Sequence, residues 1–408
     1  MNKGKLSKYF KAAAAKKLKA VDIDPSRSNQ HEFTAVSSLR EMLGTERREG
    51  IPSQFIFIDD DETGLTEDIR LTWYDTRENQ KNRSPEWRLY YGRNNIVPLM
   101  EVGDTVFVLQ RHDDELLLVF VKSGSIIENK MSWLFDVAIQ DERRLLIIPP
   151  GRYDEREVDF VVRYILDEIG VETEEEDIPF LDSILEPLEG QFPNTKEFSK
   201  LARTALPEKV SSIEEPDTTL VKWFDFEDKL FRRMERRLIS EILERGFVSA
   251  NQEIDVDGFI KTSLSIHNRR KSRAGYAFEH HLEQVFIDNG LSYVRTPTID
   301  EKVKPDFLFP SVEAYNNAGF PEKMLRILGA KTTAKDRWRQ ILSEGKRVPF
   351  KHFITLEGSI SENQTDEMKA NNLQLVVPRP LFDTYNQEQC NWLVSFGDFV
   401  QEIKGLYG

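Results

Sequence analysis

Short β-branched and aromatic runs separated by turn residues fill the chain from about residue 51 to 148, a pattern that predicts an all-β barrel or sandwich. The runs are 55–58, 69–74, 87–91, 105–110, 116–121, 133–139 and 145–148, with Asp113-Asp114 marking a hairpin between the two strongest. The period then changes: Val158, Val161, Val162, Ile165 and Ile169 recur at helical spacing over 155–169. From about residue 195 the pattern stays helical. Leu230, Met234, Leu238 and Ile242 share one face of 227–246, and Phe278, Leu282, Val285 and Phe286 share one face of 272–289. Strand-like runs return at 306–309, 325–328, 352–356 and 373–377, interleaved with helices, which predicts an α/β second half.

The length of 408 residues exceeds what one core supports. The expected division is 1–170 as the β domain, 171–191 as an acidic linker broken by Pro179 and Pro187, and 192–408 as the α/β domain. No apolar run approaches the ~20 residues of a membrane helix, so no membrane partner is expected. The single cysteine, Cys390, excludes an intrachain disulfide and fits a reducing cytoplasm. The lysines at 3, 5, 8, 11, 16, 17 and 19 surround an alanine stretch too short for a signal peptide, and a basic amphipathic helix is expected there.

A net charge of −14 argues at first against a polyanionic partner. Its distribution reverses that impression, because residues 171–220 hold thirteen acids against four bases, net −9. That stretch reads either as a solvated connection or as a DNA mimic held over a basic cleft. Residues 258–278 form a basic island, with Lys261, Arg269, Arg270, Lys271 and Arg273 and no acid.

Metal-assisted phosphodiester hydrolysis needs carboxylates to hold a divalent ion such as Mg²⁺, and a lysine near the nucleophile. Pro305-Asp306 leads into one apolar run, and Lys331 follows a second run 25 residues later. The common nuclease pattern places a carboxylate two residues before that lysine, but this chain has Gly329. Glu344, thirteen residues after Lys331, is the candidate replacement, on a short helix with Thr332-Thr333 as its cap. On spacing alone a second reading stands beside this one: Asp306 caps a turn, and Lys331 and Glu344 are surface charges.

At these residues the sequence resembles a known family. The block 268–342, with Arg-Arg-Lys-Ser-Arg-Ala-Gly at 269–275, His281-Leu282-Glu283, the run 305–311 and Lys-Thr-Thr-Ala-Lys-Asp-Arg-Trp-Arg-Gln-Ile-Leu from 331, is similar to the catalytic domain of the EcoRII-type restriction endonucleases. The similarity extends from about 192 to Gly405-Leu406-Tyr407. It implies a PD-(D/E)XK nuclease, type IIE in organisation, with Glu344 as the displaced carboxylate, Glu279 near the metal and Tyr315 near the centre. It also implies that Lys335, Asp336 and Arg337 read outer G·C pairs in the major groove, where Arg and Lys donate to guanine and Asp accepts from cytosine. A fainter similarity marks the N-terminal half as an effector-DNA-binding pseudobarrel, with Gln30, His31, Arg77, Lys81 and Arg83 as its DNA contacts. The expected whole is a Mg²⁺-dependent homodimer that cuts double-stranded DNA at a short C-C…G-G-framed site and is restrained by its empty effector domain. The rivals are a DNA-binding regulator with a vestigial nuclease domain and a structure-specific nuclease.

Overall fold

The computed structural model describes residues 6–407 except 25–30, 61–63, 81, 138–144, 148–159, 172, 174–176, 189, 249–252, 301–302 and 335–336. The chain divides into two compact units, residues 1–173 with 358–361, and 174–357 with 362–408.

Eight strands build the first unit: β1 (Phe10–Lys17), β2 (Glu32–Thr34), β3 (Arg48–Ile58), β4 (Gly64–Asp75), β5 (Trp87–Tyr91), β6 (Thr105–Arg111), β7 (Leu116–Val121) and β8 (Leu145–Ile147). They form one sheet in the order β2-β5-β4-β3-β7-β6-β1-β8. Every pairing is antiparallel except β3 with β7. In a flat sheet β2 and β7 would stand roughly 19 Å apart, at about 4.8 Å per strand. Yet the rings of Phe33 on β2 and Phe120 on β7 are centred 6.0 Å apart. The sheet therefore curls around a core that includes Phe55, Trp73, Leu89, Val106 and Leu118.

Two expectations fail here. The lysine-rich N-terminal segment is the buried strand β1, with Ala13 and Ala14 fully covered. Its alanines and lysines favour helix in isolation, but pairing with β6 and β8 overrides that preference. The cations find acids distant in sequence, Lys11 with Asp114 and Lys17 with Glu128, both at 2.8 Å, while Lys16 meets Asp22 at 2.6 Å. The 133–139 run is not a strand up to Phe135: helix Ile126–Leu134 covers its start, opened by Ser125 accepting from the Glu128 amide. The Asp113-Asp114 hairpin joins β6 to β7 as expected, with Asp114 at φ +67°. Part of the 155–169 helix lies outside the described residues, and Phe160–Glu168 is helical.

The second unit opens with helix Ile178–Leu185, inside the segment expected to be a linker. Leu181 and Leu185 pack with Phe226, Leu230 and Met234, and Arg233 makes a two-bonded ion pair with Asp182 at 2.7 Å. That apolar face belongs to the core, and the helix's one acid, Asp182, is tied by Arg233 to the same neighbouring helix. Helices Thr195–Ala205, Pro216–Arg245 and Val256–Asp288 follow, the last containing the whole basic island. A six-stranded sheet completes the unit: β9 (Val294–Arg295), β10 (Phe307–Phe309), β11 (Arg326–Ala330), β12 (Lys351–Ile354), β13 (Leu373–Val377) and β14 (Val394–Ser395), in the order β14-β13-β12-β11-β10-β9. β9 to β11 pair antiparallel and β11 to β14 parallel, with helices Trp338–Leu342 and Glu362–Ala370 in the parallel crossovers. Among the described residues no helix is long and apolar enough to cross a membrane.

Candidate active site

The register of β10 and β11 decides where Asp306 lies. Phe307 pairs with Leu328 in antiparallel sense, so the start of β10 meets the end of β11. Asp306, one residue before β10, accepts the Ala330 amide at 2.7 Å on Oδ2 and the Lys331 ammonium at 3.0 and 2.8 Å on its two oxygens. Lys331 leaves β11 with its own amide bonded to the Ile354 carbonyl of β12, at 3.1 Å. The two residues are brought together at adjacent strand ends.

Glu344 is placed by two glycines. A Cβ on Gly329 would lie 2.2 Å from Cδ1 of Ile341, so the side chain of Ile341 fills the place where the usual carboxylate would project. Residues 329 and 331 of an extended strand face the same way, which puts Ile341 and its short helix on the Lys331 side of the sheet. At Gly345 the backbone turns at φ +61°, and a Cβ there would meet Ile327 at 2.1 Å. Between these two close approaches, Glu344 sits two residues past helix Trp338–Leu342 rather than on it, its amide bonded to the Ile341 carbonyl at 3.0 Å. That helix starts at Trp338 with Arg337 as its N-cap, so Thr332 and Thr333 are not its cap.

Burial and the charge of Asp306 push the Glu344 carboxyl up to about 7, against smaller opposing effects of Lys331 and Lys351. Its Oε2 is buried and accepts no hydrogen bond among the described residues. Such an atom costs free energy unless something cationic or protonated faces it. Glu279, on helix Val256–Asp288, is also raised, first by burial, then lowered by the Arg295 hydrogen bond and raised by Asp306. Arg295 binds Glu279 at 2.8 Å and Glu283 at 2.9 Å. Burial and Arg295 hold His280 down near 4, which leaves that ring neutral.

Tyr315 is buried and donates to Asp300 at 2.8 Å; burial and that bond raise its hydroxyl to about 12. Asp300, its partner, acts electrostatically on Lys351, as does Glu344. Lys351 donates to the Leu342 carbonyl and feels the charges of both Glu344 and Asp300. Sequence reasoning missed Lys351, Asp300 and Arg295. The signal for Lys351 was its place bordering an apolar strand beside the lysine-bearing one.

Arg337 is exposed at the end of the loop that follows Lys331, and Lys335 and Asp336 lie outside the described residues. The loop is anchored from below: buried Glu357 accepts the Ala334 amide at 2.5 Å, and Thr355 donates to the Thr332 carbonyl at 3.1 Å. In the first unit, Gln30 and Lys81 lie outside the described residues. Arg77 and exposed Arg83 share the loop between β4 and β5, where Arg77 pairs with Glu86. His31 lies at the far end of β5, its ring edge-on to Tyr91 at 5.5 Å, beside a cavity of about 510 Å³ that Arg93 and Asn95 also line.

Residues 231–400 match the family model described as EcoRII C terminal. That stretch is similar to the C-terminal part of EcoRII. Over 210 residues it is 40% identical to the type II restriction enzyme EcoRII of Escherichia coli, a stretch covering 51% of this chain and 50% of that enzyme. The chain thus spans about half the length of the curated relative it matches. Among solved structures it is similar to metal-depleted Ecl18kI in complex with uncleaved, modified DNA, at 20% identity and a TM-score of 0.45, over 56% of this chain and 83% of that one. It is also similar to the restriction endonuclease PspGI in a substrate DNA complex, at 19% identity and a TM-score of 0.39, over 56% and 91%. Asp306, Lys331, Glu344, Glu279, Tyr315 and Arg337 all fall inside the matched stretch, whereas the eight-stranded unit precedes it.

The donor set suits a hard divalent cation. Asp306, bonded to the Lys331 ammonium, acts electrostatically on Glu344, whose buried Oε2 has no hydrogen-bond partner among the described residues. Among the described residues no three or more His, Cys, Asp or Glu side chains form a closed cage. Mg²⁺ is ordinarily held by one or two carboxylates and keeps several waters, so an open pair is the expected form.

Proposed function

We propose that this chain is a type II restriction endonuclease that hydrolyses phosphodiester bonds in double-stranded DNA at a short C-C…G-G-framed site. The observation that carries the reading is the buried, unpartnered Oε2 of Glu344 within electrostatic reach of the Asp306–Lys331 pair, in a stretch similar to the C-terminal part of EcoRII. Asp306 and Glu344 would hold Mg²⁺. Bound there, the ion supplies an acidified water and neutralises charge developing on the phosphate. Lys331 presents its ammonium to the scissile phosphate and orients Asp306 through hydrogen bonds to both carboxylate oxygens. Glu279 adds negative charge behind the site and is held in place by Arg295. Tyr315 supports Glu344 through Asp300 and Lys351 and takes no part in proton transfer.

Lys335, Asp336 and Arg337 read the outer G·C pairs; just before them, the Ala334 amide is held by buried Glu357. The eight-stranded unit binds a second, effector copy of the site through Gln30, His31, Arg77, Lys81 and Arg83, and restrains the nuclease when empty. Two copies of the chain act together in the cytoplasm, because a symmetric duplex site presents two equivalent strands. Incubation with unmethylated phage DNA and Mg²⁺ tests the reading: discrete fragments that vanish on chelation are expected. Intact DNA in that assay would leave a DNA-binding regulator as the surviving interpretation.

A further inference from the structure

Glu344 approaches the site from a bend rather than from a strand, and its aim needs an explanation of its own. A carboxylate at position 329 would project from β11, whose backbone is bonded to β10 on one side and β12 on the other. Glu344 has no such ladder. Its buried Oε2 accepts no hydrogen bond among the described residues, so the direction of the carboxylate depends on how firmly the backbone of 342–348 is held. Before Glu344, Lys351 donates to the Leu342 carbonyl. After it, Asp300 Oδ2 accepts the Lys346 amide at 2.9 Å, and the same oxygen accepts the Tyr315 hydroxyl at 2.8 Å.

The next residue, Arg347, ties the turn down a second time. Its Nη1 donates to the carbonyls of Tyr315 and Asn317, the latter at 3.0 Å, and its Nη2 donates to the Phe320 carbonyl at 3.0 Å. Carbonyls that close a helix such as Val312–Asn316 lack partners within it, and a cation at that end is favoured by the aligned peptide dipoles. A guanidinium serves three carbonyls at once because its donors form a rigid fork. The one carboxylate paired with Arg347, Glu322 at 3.3 Å, is 60% exposed, so the carbonyls rather than that ion pair set where the guanidinium lies. Buried Tyr315 is thus gripped from two sides: its hydroxyl by Asp300, and its carbonyl by Arg347, whose guanidinium carbon lies 5.9 Å from the ring centre.

We propose that Arg347 and Asp300 are positioning residues that fasten the Glu344 turn to Tyr315 and thereby set how tightly the site takes up a divalent cation. This rests on the reading of Glu344 as a metal-holding carboxylate. Mg²⁺ accepts oxygen ligands only near about 2.1 Å and in nearly octahedral geometry, so a carboxylate free to wander weakens the hold on the ion. Once enough Mg²⁺ is supplied, Asp306 and Lys331 are unchanged and the chemical step proceeds. Loosening the turn therefore acts on metal affinity first and on the saturated rate much less.

Two Mg²⁺ titrations of the full-length protein test the inference, one of DNA cleavage and one of the rise in unfolding temperature without DNA. Arg347→Met and Asp300→Ala should each raise the half-saturating Mg²⁺ concentration about ten-fold or more in both, while the cleavage rate at saturating Mg²⁺ stays within about three-fold of wild type. Asp300→Asn, which keeps an oxygen for the Lys346 amide and the Tyr315 hydroxyl, should recover most of the lost affinity. Glu322→Ala, which removes only the exposed ion pair of Arg347, should match wild type. Should Arg347→Met fail to fold, the contrast between Asp300→Ala and Asp300→Asn decides alone. Variants that lose stability while keeping the wild-type Mg²⁺ dependence, or an asparagine that rescues nothing, would overturn the inference. Cleavage by wild type judges the nuclease reading separately: a protein that cuts while these variants leave its Mg²⁺ dependence unmoved keeps the activity and loses the clamp. A wild type that cuts at no Mg²⁺ concentration loses the nuclease reading, and the unfolding titration still judges Arg347 and Asp300.

Discussion

Two of the chain's lysine–aspartate pairs, one in each unit, are of nearly equal length while their surroundings differ completely. In the first unit Lys16 and Asp22 lie 2.6 Å apart with side chains at most 1% exposed. Asp22 also accepts the amides of Lys19 at 2.8 Å and Thr34 at 2.9 Å, so each of its oxygens is occupied. In the second unit Lys331 and Asp306 lie 2.8 Å apart, with 29% and 19% of their side chains open. Beside them stands Glu344, whose buried Oε2 is bonded to nothing among the described residues. The first pair is a closed account of charge, which fixes β1 in the sheet. The second has a buried carboxylate oxygen beside it left without a partner, and the proposed metal site would make use of that atom. Ion-pair length therefore does not separate a structural site from a functional one; the satisfaction of neighbouring polar atoms does.

The largest expected effect lies at the open pair. Asp306→Ala or Lys331→Ala should lower Mg²⁺-dependent cleavage on the order of 10⁴-fold or more, roughly 5 kcal/mol of barrier, while specific DNA binding stays within about ten-fold. Gel-shift and cleavage assays on one oligonucleotide duplex measure both. A variant at either position that cuts normally would dissolve the functional half of the contrast.

The closed pair should behave in the opposite way. Asp22→Ala leaves an ammonium buried without its counter-charge, and should cost about 3–5 kcal/mol in urea unfolding. Lys331→Met, at a half-open pair, should change stability by less than about 1 kcal/mol. Equal losses at the two sites would erase the distinction.

Most of the scaffold could be read from periodicity, because the β runs and the α/β alternation both reflect one-sided burial. What could not be read shares one cause: partners far away in sequence. Alanine and lysine at 10–17 favour helix until β6, β8, Asp22 and Glu128 supply pairing and counter-charge. Acids at 171–191 resemble a linker until Phe226 and Leu230 cover Leu181 and Leu185. At the candidate site Asp306, Lys331 and Glu344 were legible from motif and spacing. Lys351 and Asp300 were not, since their contribution depends on the parallel β11–β12 pairing and on a turn that only the fold creates. The reason for Gly329 was equally hidden, because only the structure shows Ile341 in the space where a carboxylate would stand.

That space gives a third, smaller effect. Gly329→Ala should destabilise the second unit by about 1–3 kcal/mol, because Ile341 must move to admit even a methyl group. The shift would carry Glu344 with it, so apparent Mg²⁺ affinity should fall together with stability. Ile341→Ala in the same chain should recover part of both. Thermal unfolding and Mg²⁺-titrated cleavage distinguish this coupling from simple crowding, in which stability alone would fall.

The smallest effect concerns pH and separates the two pairs without disabling either. In the metal-free protein the Glu344 carboxyl is raised from 4.5 to about 7, burial acting first and Asp306 second. An acid raised in this way favours the folded state while protonated, so its contribution is full below pH about 4.5 and is lost as pH rises through about 7. Discounted for partial solvent access, the change is about 1 kcal/mol across that window. Glu344→Gln should flatten the slope of metal-free stability between those limits. Added Mg²⁺ should oppose the slope in wild type, because the cation favours the ionised carboxylate and binds more tightly as the proton leaves. Urea midpoints at several pH values, with and without Mg²⁺, measure both. An unchanged slope in the glutamine variant would assign the titration to another group and remove Glu344 from the open side of the comparison.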